Sequence, residues 1–94
     1  MIVRIAGEGR WRLADDAAKQ LLADDLRLMR AVDDQRDVEY EYLLVALCRY
    51  VRSHGENLSP DEGGADITVP SPQMPLAEAI ELLSEQRGLR PGEA

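Results

Sequence analysis

The stretch MIVRIAGEGRWRLADDAAKQLLADD, residues 1–25, changes its hydrophobic period partway along. Up to Leu13 apolar residues alternate; from about Asp15 they recur at the helical spacing of 3.6. Two strands around a glycine turn, then an amphipathic helix, therefore open the chain. Gly7-Glu8-Gly9 reads as a three-residue hairpin loop with glycine at its last, left-handed position. That loop pairs Ala6 with Arg10, Ile5 with Trp11, Arg4 with Arg12 and Val3 with Leu13. Because strand side chains alternate, Met1, Val3, Ile5, Trp11 and Leu13 share one face. The other face carries Ile2, Arg4, Ala6, Arg10 and Arg12. Opposed like charges destabilise a strand pair, so Arg4 facing Arg12 calls for an acidic neighbour. Two readings of Arg4, Arg10 and Arg12 stay open: a docking face for an acidic partner or anionic lipid, or a solvated, internally paired sheet face.

Outward from the hairpin, an aspartate pair recurs at Asp15/Asp16, Asp24/Asp25 and Asp33/Asp34, every nine residues. Nine residues at about 100° each add half a revolution to two full turns, and the outer pairs stand about 27 Å apart. The pairs cannot converge on one metal ion. Asp15 or Asp16 suits a helix cap and complements the dipole; Asp33, Asp34 or Asp37 suits the turn and cap of the next helix. Ala17, Ala18, Leu21, Leu22, Leu26, Leu28, Met29 and Val32 form the inward arc. Asp25 falls near the centre of that arc, where a carboxylate must be paired or hydrogen-bonded. The Trp11 indole or a tyrosine hydroxyl is the expected donor; a wet seam is the other reading.

A second helix is expected from about Asp37 to Ser53, with Gly55 as a left-handed terminator. Tyr40, Leu43, Leu44, Leu47, Tyr50 and Val51 make its inner stripe, with Cys48 at the edge. Cys48 and His54 read as packing residues, since a cysteine–histidine dyad has no further support here. The back of this helix carries Val38, Tyr42, Val45 and Arg49. A contiguous apolar strip joined by an arginine has the composition of a protein-binding surface.

Residues 55–66, GENLSPDEGGAD, read as an acidic glycine-rich loop without the glycine spacing or lysine of a phosphate-binding loop. Ile67–Val69 is the only expected third strand, at a sheet edge next to Pro70. Pro75 begins a last helix with Leu76, Ala79, Ile80 and Leu83 inward, Gly88 at its end and Leu89 folding back. The fold class is α+β: one small domain over 1–89 in the order β-β-α-α-β-α, a short, mainly antiparallel sheet with helices covering one face, and a mobile tail at 90–94.

Eleven lysines and arginines against eighteen acids give a net charge of −7. Residues 1–13 hold three arginines and one glutamate, net +2 against −9 for the rest. That balance disfavours nucleic acid as a partner, because such binding neutralises phosphates with cations. The single cysteine forms no internal disulfide and suits a reducing, cytoplasmic setting. No apolar run approaches a membrane span, and the charged opening lacks the apolar core of a signal peptide. No cofactor or metal is called for.

MIVRIAGEGRW at 1–11, AVDDQRD at 31–37, VRSHG at 51–55, ADITVP at 65–70 and GLRPG at 88–92, taken in order, resemble the PspAA domain, a small protein associated with phage-shock protein A in bacterial envelope-stress systems. Gly64-Ala65 stand where Pro-Ser is usual, and Pro75 replaces a threonine helix cap. The resemblance implies a non-enzymatic accessory or adaptor protein that binds a coiled-coil, membrane-remodelling PspA-like partner. It implies cytoplasmic residence, with recruitment to the inner face of the membrane through that partner. Arg4, Arg10 and Arg12, and the strip Val38, Tyr42, Val45 and Arg49, are the candidate contacts. The alternatives are a homodimerising module using the back of the second helix, or a small-ligand sensor with a pocket near Asp25 and Trp11.

Overall fold

The structure, a computed structural model, describes residues 1–59 and 63–87, with side chains placed as far as residue 82. The expected inward Leu83, the Gly88 stop, the Leu89 fold-back and the tail at 90–94 lie outside what is described.

The opening hairpin is β1 (Ile2–Ile5) and β2 (Gly9–Arg12). Its register differs from the expected one by two residues: Ile2 pairs with Arg12, Val3 with Trp11, Arg4 with Arg10 and Ile5 with Gly9. The turn spans Ile5–Glu8, closed by the Glu8 N–H donating to the Ile5 carbonyl at 2.9 Å, with Gly7 at φ 78°. A positive φ at that third turn position favours glycine. Gly7 and Gly9 can each take a left-handed turn position, and a two-residue shift leaves every side chain on its original face. Val3, Ile5, Trp11 and Leu13 are accordingly all buried on the core side.

Helix α1 (Asp15–Asp33) follows. Its N-cap is Ala14, without a side-chain cap, so the expected aspartate capping is not made; Asp15 and Asp16 instead sit in the first turn, where they favour the helix dipole. The buried line is Leu21, Asp25, Leu28, Ala31 and Val32, narrower than the expected arc. Leu22 and Leu26 are 43% and 60% exposed.

The turn between helices is a Schellman arrangement: the Gln35 N–H donates to Val32 O at 3.1 Å and the Arg36 N–H to Ala31 O at 2.9 Å. Gln35 holds the left-handed position at φ 55°. Helix α2 (Asp37–His54) then packs against α1 and shares one buried core with the sheet residues Val3, Ile5, Trp11 and Val69, again with no side-chain cap. Cys48 is fully buried with Tyr40, Leu44, Leu47 and Val51, inside the stripe rather than at its edge.

Gly55 is not the expected left-handed stop: its φ is −97° and ψ 158°, extended backbone. It is glycine because of close approach. A Cβ there would stand 2.7 Å from Val51 O, 2.9 Å from Trp11 Cβ and 3.1 Å from Leu13 Cδ2. The extended exit leads into β3 (Glu56–Asn57), a strand the sequence did not announce, paired antiparallel with β2. After the 58–66 connection comes β4 (Ile67–Val69), parallel to β1, and then α3 (Leu76–Arg87), whose first backbone bond runs from the Ala79 N–H to Pro75 O. The sheet order is β3-β2-β1-β4, which puts β4 at an edge as expected. Two of the three pairings are antiparallel. The helices bury one face of this sheet; full burial of each large aliphatic side chain there is worth about 1.5–3 kcal/mol.

Candidate functional site

Alternation places Arg4, Arg10 and Arg12 on the sheet face turned away from the helices, and their three environments differ. The connection from β3 at one edge to β4 at the other brings Ser59, Gly63 and Gly64 to this face. Arg10 ties this segment to the arginine face. Its Nη1 donates to the carbonyls of Gly63 and Gly64, both at 2.9 Å, and its Nη2 to that of Ser59 at 2.8 Å. Only 7% of Arg10 remains exposed. Three charge-assisted bonds offset the desolvation of that guanidinium. Asp66 closes the far end of the segment, its N–H donating to Ile2 O at 2.8 Å and its Oδ2 accepting from the Ile2 N–H at 2.7 Å. Gly64 in between has φ 72°, a conformation closed to proline.

Arg10 is therefore occupied inside the molecule, and the accessible cations of this face are Arg4 and Arg12. Arg4 lies opposite Arg10, not Arg12. Arg12 has Glu56 of β3 directly across the ladder, an unlike pair of the kind the sequence called for. No sequence signal showed that two-residue strand.

The second face is the back of α2. Val38 is 82% exposed, Tyr42 72% and Val45 42%, with Arg49 also exposed in the same line. Side chains four, three and four residues apart project from one side of a helix, and the core-facing residues of α2 lie on the other. Three of the five large apolar residues exposed among the described ones belong to this strip. The other two, Leu22 and Leu26, are on α1.

Asp25 is 93% buried, as its place on the arc predicts, and it has an interacting partner. It lines an open recess of about 340 Å³ with Met1, Leu22, Ala65, Asp66, Ile67 and Thr68, between α1 and β4. Trp11 is not part of that recess. It sits on β2, with β1 between it and β4, and packs against Gly55 and Gly9. Of the tyrosine donors considered for Asp25, Tyr40 gives its hydroxyl to Met74 O at 2.9 Å. Burial, foremost, pushes the Tyr40 hydroxyl up to about 12.

Cys48 and His54 do not form a pair. The thiol lies 3.6 Å from Pro70 O in the core, and burial, opposed in part by Arg52, pushes it up to about 11. His54 is exposed, stacked on Tyr50 at 4.1 Å between ring centroids, with Nδ1 3.1 Å from Tyr50 O. A protonated thiol in the core is a packing group, not a nucleophile. The aspartate pairs diverge around α1, and among the described residues no group of three or more His, Cys, Asp or Glu is arranged to hold a metal ion. No described helix is long and apolar enough to cross a membrane.

What the arrangement offers is surface: an apolar helix strip ending in arginine, and a sheet face with two accessible arginines. No curated protein and no solved structure matches the chain. A family model described as PspAA, PspA-associated protein, matches residues 1–92, nearly the whole chain. The protein belongs to the PspAA family.

Proposed function

We propose that this protein is a non-enzymatic adaptor of a phage-shock-type envelope-stress response, binding a coiled-coil PspA-like partner. The observation that carries the reading is the line Val38, Tyr42, Val45 and Arg49, held away from the core on a rigid helix in a family whose description names association with PspA. A helix of the partner laid along this strip buries its apolar side chains and meets Arg49 with an acid. Arg4 and Arg12 add a cationic contact on the sheet face for an acidic stretch of the same partner; Arg10 supports that face by holding Ser59, Gly63 and Gly64 against it. The adaptor works in the cytoplasm and reaches the inner face of the membrane through its partner.

The test is co-elution of the purified chain with the PspA-family protein of the same genome, alongside a Tyr42→Glu variant. A joint peak for the natural chain and separate peaks for the variant support the reading. Joint elution of both removes the α2 strip from it. Separate elution of the natural chain contradicts it.

A further inference from the structure

The outer face of α2 is ordered by charge as well as by spacing. Val38, Tyr42, Val45 and Arg49 follow the alternating four- and three-residue intervals of a coiled-coil seam. Asp37, Glu39 and Glu41 are exposed along the N-terminal half of the helix, and Arg49 and Arg52 along the C-terminal half, with Tyr42 and Val45 between them. Arg52 is already paired with Glu8 at 2.7 Å; Arg49 and Glu41 are exposed. Such a face is complementary to itself turned end for end. A second α2 laid antiparallel sets Tyr42 against Val45 and Val38 against Arg49 of the other copy, which brings each Arg49 within about one helical turn of the other copy's Glu41.

We propose that the chain self-associates through α2 as a two-fold antiparallel helix pair, with the axis passing between Tyr42 and Val45. An isologous interface repeats each contact, so the Arg49–Glu41 pairing occurs twice. One helix of 18 residues is about 27 Å long, so the patch falls short of the roughly 800 Å² per partner of a standard stable interface. The dimer is accordingly weak and reversible. This inference rests on the reading of α2 as a docking face and adds its regulation: a second copy and a partner helix exclude one another on the same strip.

Sedimentation velocity of the whole chain, without any partner, tests it over a wide concentration range. The natural chain should pass from monomer to dimer as concentration rises. Arg49→Glu and Glu41→Arg should each raise the dissociation constant by about tenfold or more, since each places like charges together twice. An equimolar mixture of the two variants should associate again, because every facing pair is then unlike. The Glu41→Arg/Arg49→Glu double variant should regain a homodimer. Both positions are exposed, and circular dichroism confirms that each variant is folded. A natural chain that stays monomeric at the highest concentration overturns the proposal, as does a dimer indifferent to either reversal, or a mixture that does not associate. Because no partner is present, such a failure leaves the adaptor reading standing, and loss of partner binding leaves the dimer standing.

Discussion

Arg10 Nη2 donates to the carbonyl of Ser59 at 2.8 Å across 49 positions of sequence, and Nη1 of the same guanidinium holds Gly63 and Gly64. One side chain thus holds the connection between the two sheet edges on either side of residues 60–62. Arg10→Ala should lower stability by about 2–3 kcal/mol, the scale of hydrogen bonds to a charged group with their acceptors left behind. Arg10→Lys should recover only part of it, because an ammonium lacks the planar fork that reaches several carbonyls at once. Urea unfolding measures both, and limited proteolysis should cut the Arg10→Ala variant first within 59–64.

Gly55 is set by its neighbours rather than by its backbone angles. A methyl group there meets the Val51 carbonyl and the Trp11 and Leu13 side chains at 2.7–3.1 Å. Gly55→Ala should therefore destabilise by about 1–3 kcal/mol through overpacking. Thermal unfolding followed by Trp11 fluorescence reads it directly. An unchanged midpoint would show that the contact is not tight.

Gln35 occupies a left-handed position that glycine fills without strain. Gln35→Gly should stabilise the protein by about 1 kcal/mol, the cost of holding a side chain in that region, as seen in the denaturant midpoint. The same turn with Gln35→Val should be worse than the natural one.

The Cys48 thiol and Tyr40 hydroxyl are both held protonated by burial, at about 11 and about 12. Their ordinary values are 9.0 and 10.0, so the unfolded chain releases these protons first as pH rises. Stability is therefore complete below pH 9, falls as pH rises from 9 through 11 for Cys48, and falls further from 10 through 12 for Tyr40. Cys48→Ala should flatten the earlier part of that decline. The native thiol should also react with an aromatic disulfide reagent at pH 8 far more slowly than the thiol of the urea-unfolded chain.

Much of the fold was legible because one-face burial leaves a periodic trace. The alternation of Val3, Ile5, Trp11 and Leu13, the place of Asp25 on its helix and the strip at Val38, Tyr42, Val45 and Arg49 all follow from period alone. The register was not legible, because a shift of two preserves every face, and glycines at 7 and 9 each offered a left-handed turn residue. β3 was invisible: Glu56 and Asn57 are polar, exposed and only two residues long. They pair because the extended exit through Gly55 delivers them to β2. The burial of Arg10 was hidden for a similar reason, since what covers it is backbone some fifty residues away. Within the candidate surfaces, exposure of the α2 strip could be read from its position opposite the core stripe, but the removal of Arg10 from the sheet face could not.

Isothermal titration calorimetry with the PspA-family protein of the same genome tests the central claim most directly. The natural chain, Tyr42→Glu and Arg4→Glu/Arg12→Glu are titrated in parallel, each checked for its fold by circular dichroism. Binding by the natural chain, weakened by about tenfold or more in both folded variants, is the result expected. No heat of binding from the natural chain at tens of micromolar, or equal affinity in all three proteins, would contradict the account.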